Sequence, residues 1–124
     1  MTFTIAKRFS FSASHVLTAV PDDHKCRRMH GHNYEVEIIC AAEELDDRSM
    51  VVDYFDLDPV KRFIDDTIDH RHLNDVLPGE PTAERLAWWL HQSLAGTLAP
   101  DVAARLVAVR VYETPKTWAE YRPS

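Results

Sequence analysis

Two runs of alternating apolar and polar residues near the N-terminus constrain the fold more than any other feature. In residues 3–15 one parity carries the apolar side chains, with Lys7 as the exception, and the run ends at His15. The second run covers residues 32–42, where the apolar parity contains Tyr34, Val36, Ile38 and Cys40. A period of two is typical of a β-strand with one buried face. The chain must therefore build a sheet and cover one side of it.

The middle of the chain has helical periodicity instead. We predict a first helix with Asp58 as its N-cap and Pro59 as its first residue, and a second helix capped by Thr82. The apolar residues recur at intervals of three and four. They are Val60, Phe63, Ile64 and Ile68 in the first helix, and Leu86, Trp89, Leu90, Leu94 and Leu98 in the second. Strand-like alternation returns at residues 107–111, and a turn leads to a last strand at 118–121.

This order of elements, ββααββ, predicts a single α+β domain over residues 1–124. The sheet is expected to be antiparallel and four-stranded, with both helices between strands 2 and 3 and packed on one face. A chain of 124 residues is long enough to bury one core. No repeat, low-complexity tract or linker divides it.

Composition and charge narrow the possible functions. The net charge of −6 argues against general nucleic-acid binding. No apolar run reaches the roughly 18 to 20 residues of a membrane-spanning helix. The N-terminus lacks the organisation of a secretory signal, so a cytoplasmic protein is expected. Residues 1–33 nevertheless carry five basic against two acidic side chains. That local charge suits a small anionic substrate, although an ordinary solvated run would look the same.

Histidines at the ends of the two N-terminal strands form the strongest chemical signal. His30 and His32 are two apart in a predicted strand, so both imidazoles project from one face, and His15 ends the apolar parity of the first strand. Three neutral imidazoles leave a tetrahedral zinc ion with one open position, which is typical of catalytic sites. The alternative is that His30 and His32 are surface residues beside a glycine turn.

Three further positions are candidates for chemistry. Cys26 lies among cationic groups that would stabilise a thiolate, so it could be a base or nucleophile, or else a fourth ligand in a non-catalytic zinc module. Asp69-His70 offers either a carboxylate-oriented imidazole or a surface pair at a helix end. Glu113 shares the parity of a buried strand face and would suit a ligand with two adjacent donors, unless it lies beyond the strand end in water.

A metal-dependent cupin is a second enzymatic interpretation of the same histidines. His30-x-His32 followed by Glu37 imitates the HxH-x4-E ligand pattern of cupins. The flanking glycines of that pattern are missing, and Glu37 has the opposite parity to the histidines in an unbroken strand.

Five short motifs follow one another along the chain. They are Phe11-Ser12-Ala13-Ser14-His15, Cys26-Arg27-Arg28-Met29-His30-Gly31-His32, Ile68-Asp69-His70-Arg71-His72-Leu73-Asn74, Pro81-Thr82-Ala83-Glu84 and Val111-Tyr112-Glu113-Thr114. In this order and spacing they resemble the 6-pyruvoyltetrahydropterin synthase family over the whole chain. The short interval between Cys26 and His30 resembles the bacterial 6-carboxytetrahydropterin synthase branch, because animal-type synthases have a longer gap.

The resemblance implies a fold and a set of roles. The fold is the T-fold, whose ββααββ units assemble into barrels, so a homo-oligomer with active sites at subunit interfaces is expected. The implied zinc ligands are His15, His30 and His32. Cys26 would abstract a proton with Asp69 and His70 as relay partners, and Glu113 would anchor the pterin ring. The remaining expected substrate contacts are Thr82, Lys25 and Arg27, with the two basic residues receiving the triphosphate.

The resemblance also implies a reaction. The substrate would be 7,8-dihydroneopterin triphosphate, and the products 6-carboxy-5,6,7,8-tetrahydropterin, acetaldehyde and triphosphate. Such a lyase would feed 7-deazaguanine compounds such as queuosine. Formation of 6-pyruvoyltetrahydropterin is the alternative outcome within the same family.

Overall fold

A computed structural model of the protein describes residues 2–124. The strands and helices follow in the order β1 (Phe3–His15), β2 (His30–Ala42), α1 (Asp58–Thr67), β3 (Arg71–His72), α2 (Ala83–Ala95), α3 (Pro100–Ala103), β4 (Leu106–Thr114) and β5 (Thr117–Tyr121). Single turns of 3-10 helix lie at Lys25–Arg27, Tyr54–Leu57 and Leu73–Asp75. None of the helices in this part of the chain has the length and apolar character that a bilayer crossing requires.

The sheet has five strands in the order β3-β1-β2-β4-β5. Neighbouring strands are antiparallel except β3, which runs parallel to β1 beside Ala13 and Ser14. The prediction of four antiparallel strands is therefore wrong in this detail. Two residues are too few to carry a periodic pattern, and a tertiary contact, the hydrogen bond from His70 N–H to Ser12 O at 2.6 Å, places β3 at the edge. The short helix α3 was also missed.

The alternating residues of β1 and β2 form the inner face of the sheet, as predicted. Phe9 pairs with Val36 and Phe11 with Tyr34, whose rings stack with centroids 4.9 Å apart. Leu90 and Ile64 are fully buried against this face, which places α2 and α1 over it. Each such side chain stabilises the fold by about 1.5–3 kcal/mol relative to an exposed position.

Lys7, the exception in the β1 pattern, is explained by the start of the first helix. Its ammonium group donates to Asp58 Oδ1 at 3.0 Å and to the carbonyl of Tyr54 at 3.2 Å. The aliphatic stem therefore follows the inner parity while the charge reaches a carboxylate at the edge of the core.

The predicted start of α1 is wrong by one residue. Asp58 is the first helical residue rather than the N-cap, because the 3-10 turn at Tyr54–Leu57 runs directly into the helix. That turn has its own cap, since the Asp53 carboxylate accepts from Phe55 N–H at 2.9 Å. The N-cap prediction for α2 is confirmed, because Thr82 Oγ1 accepts from Arg85 N–H at 3.1 Å.

The outer face of the sheet carries a charged network. Glu37 accepts from Arg8 at 3.0 Å and lies 3.6 Å from Arg110, which also pairs with Glu120 at 3.0 Å. The Arg110 guanidinium stacks on Trp118, 4.0 Å from the ring centroid. Glu37 is thus an ion-pair partner of two arginines, which removes it from the role of metal ligand that a cupin would need.

His91 is a buried histidine on α2 that packs against β5. Its ring meets Tyr121 edge-on with centroids 5.2 Å apart. Both ring nitrogens are buried, and the backbone of Leu106 interacts with the ring too weakly to offset the effect of burial on its pKa. Burial lowers the pKa of His91 below its ordinary value of 6.5. The His91 imidazole is therefore protonated more readily in the unfolded chain than in the folded protein.

We expect His91 to make the protein sensitive to mild acid. Because the folded-state pKa is the lower one, the stability present at neutral pH is lost as the pH falls below about 6.5. The midpoint of thermal unfolding, measured from pH 7 to pH 5, should fall more steeply for the wild type than for His91→Leu. Parallel curves for the two proteins would contradict this assignment.

Candidate metal centre and active site

Three histidines converge where β1 ends and β2 begins. The antiparallel register sets His15 directly opposite His30, and His32 follows two residues later on the same face. One nitrogen from each ring lies within 4.8 Å of the others, and His15 Nε2 is 2.9 Å from His30 Nε2. His15 is 1% exposed. The cluster is therefore positioned by the pairing of the two strands that the alternation pattern predicts.

The outer hydrogen bonds of two rings determine which nitrogens are free. His15 Nδ1 lies 2.8 Å from the Pro81 carbonyl, and His30 Nδ1 lies 2.8 Å from the Arg28 carbonyl. A carbonyl oxygen can only accept, so both Nδ1 atoms carry the proton and both Nε2 atoms carry a lone pair when the rings are neutral. Two lone pairs facing each other at 2.9 Å repel unless a cation lies between them.

His32 points to the same conclusion. Its Nε2 atom is buried and has no hydrogen-bond partner in the described part of the chain. Burial lowers the pKa of His32, opposed in part by the charge of Glu113, so the neutral ring is favoured. A buried polar atom without a partner is costly, and a metal ion would satisfy it. Three neutral imidazoles, two of them oriented by carbonyls, suit a divalent metal such as zinc. The cluster could hold such an ion.

Asn74 fixes the end of β1 on which His15 stands. Its side-chain amide accepts from Val16 N–H and donates to Val16 O, each at 2.9 Å. A paired amide of this kind substitutes for a neighbouring strand and holds the chain in register just past His15. Asn74 entered the sequence analysis only as part of a motif, and this role was not predicted. Its signal was the density of polar residues after α1.

Replacing Asn74 by alanine should destabilise the fold. The change leaves both Val16 backbone groups without their partner, and we expect the free energy of unfolding to fall by about 2 kcal/mol. Urea unfolding monitored by circular dichroism measures the effect. The exposed neighbour Asp75 supplies the control, since Asp75→Ala should change stability by less than about 0.5 kcal/mol. Equal stability of the two variants would refute the role of Asn74.

Cys26 lies close to the histidine cluster in sequence, but its thiol is not among the converging donor atoms of the described residues. Within residues 2–124 the group of converging donor atoms contains only the three imidazoles. Cys26 is a half-buried free thiol in the 3-10 turn. Its backbone is fixed on both sides, because Leu17 N–H donates to its carbonyl and His24 Nδ1 accepts from its N–H, each at 3.0 Å. A saturated zinc site with Cys26 as fourth ligand does not match this arrangement.

The loop between β1 and β2 is held by Arg27 and Glu80. The guanidinium of Arg27 donates to the carbonyls of Thr18 and Val20 and pairs with Asp22 at 3.1 Å. The Glu80 carboxylate accepts from the N–H groups of Thr18 and Ala19, which lower its pKa. Arg27 was predicted to contact the substrate, but in the structure its guanidinium makes three contacts with residues of the loop itself. Lys25 is exposed in the same turn.

Asp69 and His70 lie beyond the end of α1 at the free edge of β1. The Asp69 carboxylate accepts from Ser12 N–H at 3.0 Å and lies 3.0 Å from His70 Nδ1. These two contacts lower the pKa of Asp69. His70 has a φ of 60°, in the left-handed region that costs a residue with a side chain about 1–3 kcal/mol. This backbone directs a largely exposed imidazole outwards with its Nδ1 oriented by the carboxylate, so Nε2 is free to exchange a proton.

Glu113 lies at a bulge near the end of β4. The register between β4 and β5 shifts between Tyr112 and Thr114. Glu113 is half-buried and borders a cleft of about 470 Å³ together with Ala83 and Trp118. Burial raises the pKa of Tyr34, and the charge of Glu113 adds to that effect and also acts on His32. The carboxylate therefore lies near the histidine cluster of its own chain. Thr82, a predicted substrate contact, adjoins this cleft but uses its hydroxyl as the α2 cap.

Comparison with known proteins assigns this arrangement to a family. Residues 4–124 match the family described as 6-pyruvoyl tetrahydropterin synthase. The chain belongs to the 6-pyruvoyl tetrahydropterin synthase family. It is accordingly an enzyme, a lyase of that family, and the membership excludes the cupin interpretation.

Several relatives within the family share most of their length with this chain. A 6-carboxy-5,6,7,8-tetrahydropterin synthase of Synechocystis is 35% identical over 126 residues, covering 94% of this chain and 91% of its own. The Bacillus subtilis protein of the same name is 31% identical over 130 residues, covering 98% and 86%. The solved structure of a Caenorhabditis elegans 6-pyruvoyl tetrahydropterin synthase superimposes with a TM-score of 0.86 at 28% identity, covering 100% and 97%. These structural neighbours support the T-fold for this chain.

Proposed function

We propose that the protein is a zinc-dependent 6-carboxy-5,6,7,8-tetrahydropterin synthase acting on 7,8-dihydroneopterin triphosphate. The observation that carries the proposal is the group of three imidazoles with Cys26 outside it, in a chain of this family. Relatives at 31% and 35% identity bear the carboxy-type name, which favours that branch over the pyruvoyl type.

The metal would be held by His15, His30 and His32. A zinc ion bound there would hold the side-chain oxygens of the substrate and make the neighbouring protons more acidic. The carbonyls of Pro81 and Arg28 keep two of the rings in the tautomer that a metal ligand needs.

The proton transfers are assigned to three residues of the chain. The Cys26 thiolate removes a proton from the substrate side chain. It can act as a base because it is not coordinated to the metal. His70 exchanges protons through Nε2 while Asp69 holds its Nδ1. The Glu113 carboxylate borders a cleft in which it would accept hydrogen bonds from two adjacent N–H groups of the pterin ring.

The proposed reaction balances without an outside reductant. The carbon that remains on the ring is oxidised to a carboxylate, and the ring gains the electrons and protons that convert its dihydro form to the tetrahydro form. The other two side-chain carbons leave as acetaldehyde, triphosphate is eliminated, and one water is consumed. The residues therefore need only move protons and hold the intermediates, which is what the assigned groups can do.

Assembly and location belong to the same proposal. The outer edge of β1, which β3 covers only beside Ala13 and Ser14, and the outer edge of β5 suit the barrel assembly of the T-fold, so we propose a homo-oligomer with active sites at subunit interfaces. The acidic chain and small-molecule substrate fit a cytoplasmic enzyme without a nucleic-acid or membrane partner. The product would serve synthesis of 7-deazaguanine compounds such as queuosine.

Product analysis tests the proposed function. Zinc-loaded protein is incubated with 7,8-dihydroneopterin triphosphate, and the products are identified by mass spectrometry. We expect 6-carboxy-5,6,7,8-tetrahydropterin and acetaldehyde in equal amounts, and no turnover in protein treated with a chelator. A 6-pyruvoyl product without acetaldehyde would exclude the carboxy branch, and an unchanged substrate would exclude the synthase.

A further inference from the structure

A basic cleft lies at the edge of the sheet where β3 joins β1. It has a volume of about 450 Å³, and the side chains that border it include Ser12, Ser14, Asn33, His70, Arg71 and His72. None of the residues that line it is acidic. Two imidazoles and a guanidinium from three consecutive residues border this cleft, in a chain with a net charge of −6. The cleft also borders His32, a member of the histidine cluster.

Arg71 is the cation of this cleft and is not neutralised. Within residues 2–124 its guanidinium makes no ion pair with a carboxylate. It donates one long hydrogen bond, of 3.3 Å, to the Asp66 carbonyl. Its side chain is exposed. The nearest carboxylate in sequence, Asp69, contacts Ser12 N–H and His70 Nδ1 through its Oδ1 atom and makes no ion pair with Arg71 among the described residues. Arg71 therefore retains most of its donors for a ligand.

The groups around Arg71 are oriented as well as polar. His72 Nδ1 lies 2.9 Å from Ser14 Oγ, which fixes the ring and leaves its other nitrogen for a ligand. Ser12 Oγ donates to Asn33 Oδ1 at 2.8 Å, so the amide nitrogen of Asn33 is available as a donor. The amide of Asn33, the imidazole of His72 and the guanidinium of Arg71 together offer the kinds of donor that bind phosphate oxygens.

The rival location is the loop that carries Lys25 and Arg27. Arg27 is engaged by two carbonyls and by Asp22, so only part of its hydrogen-bonding capacity remains. The loop thus leaves Lys25 and Arg28 as exposed cations near Cys26. The cleft offers an arginine whose neighbours, His72 and Asn33, are held by hydrogen bonds. A polyphosphate gains more from the cleft, because donors that are already oriented surround a guanidinium that binds two oxygens at once.

We propose that the cleft at the β1–β3 edge, with Arg71 and His72 as its principal donors, is the subsite for the triphosphate group of the substrate. This inference rests on the proposed function for the identity of the ligand. His32 is among the residues that border the cleft, so the subsite lies along the same stretch of β2 as a proposed metal ligand. The eliminated triphosphate is held there as it leaves.

Titration calorimetry with inorganic triphosphate tests the subsite directly. The probe is added to zinc-loaded wild type and to Arg71→Met, Arg71→Lys, Lys25→Met and Arg62→Met at low ionic strength. Arg62 is an exposed arginine of α1 outside the cleft and serves as the matched control. Zinc content measured after each titration shows whether the probe has extracted the metal. Circular dichroism and thermal unfolding verify that each variant is folded.

We expect Arg71→Met to weaken triphosphate binding by about tenfold to a hundredfold, the worth of one charge-assisted bidentate contact. Arg71→Lys should recover part of the loss, and Arg62→Met should bind as the wild type does. In turnover, Arg71→Met should raise KM more than it lowers kcat. Unchanged binding by Arg71→Met, loss of binding in Lys25→Met alone, or no binding by the wild type would each overturn the subsite.

The subsite and the proposed function fail in different ways. Wild type that forms the carboxy product while Arg71→Met binds triphosphate normally refutes the subsite and leaves the synthase standing. Arg71-dependent binding of triphosphate by a protein that yields no pterin product supports the subsite and refutes the synthase.

Discussion

Replacing Cys26 by alanine should lower turnover of dihydroneopterin triphosphate by about a thousandfold while leaving the zinc content near that of the wild type. The expected loss is that of a positioned base, which contributes about 10²–10⁴ to a rate. Zinc should remain because the three converging nitrogens belong to His15, His30 and His32, and the thiol is not among them. Product formation by mass spectrometry and metal content by plasma emission measure the two effects in one preparation.

Cys40 provides the control for this experiment. It is fully buried on β2, and burial raises the pKa of its thiol to about 11. Cys40→Ala should therefore lose stability through a small cavity but keep its rate per folded molecule. In the zinc-loaded wild type, a thiol reagent should modify Cys26 and spare Cys40. If Cys26→Ala lost its zinc, or kept its rate, the assignment of the thiol as the base would be wrong.

Replacing His30 by alanine should remove the metal centre. Two imidazoles hold a divalent ion much less tightly than three, so zinc should fall from about one per chain to a small fraction after dialysis, with turnover near the background rate. Thermal stability gives an independent measurement. Zinc at about a thousand times its Kd should stabilise the wild type by about 4 kcal/mol, whereas the variant should gain little.

His24 supplies a histidine control outside the cluster. It is exposed and accepts a hydrogen bond from Cys26 N–H, but it is not among the converging ligands. His24→Ala should therefore bind zinc like the wild type and shift its melting temperature on zinc addition to the same extent. Full zinc occupancy in His30→Ala would refute the three-imidazole centre.

Much of the fold could be predicted because local periodicity reports which face of an element is buried. The alternation in residues 3–15 and 32–42 predicts β1 and β2, and Thr82 correctly predicts the cap of α2. The prediction failed at β3, because a strand of two residues has no period. It also missed the α1 boundary by one residue, where a 3-10 turn and a helix join without a break in the pattern.

The candidate site divides in the same way. The convergence of His15, His30 and His32 could be predicted, because the parity of each strand is a local property of the sequence. The register of the antiparallel pair β1–β2 follows from that parity. The hydrogen bonds of Arg27 to the loop carbonyls could not be predicted from the sequence, because its partners come close only once the loop has folded back on itself. The same holds for Glu113, whose exposure depends on a bulge.

Sequence patterns alone predict two half-buried strands with histidines at the end of the first and the start of the second. They also predict two helices that cover the strands and a set of motifs that belong to one enzyme family. Periodicity and short-range spacing carry that information, because each depends only on neighbouring residues. Tertiary structure alone decided that Cys26 stands outside the imidazole cluster, that β3 adds to the edge of β1, and that Arg71 faces a cleft without a carboxylate partner in the described residues. Hydrogen bonds and packing between segments of the chain define those relations, and the pairing of β3 with β1 joins residues more than fifty positions apart.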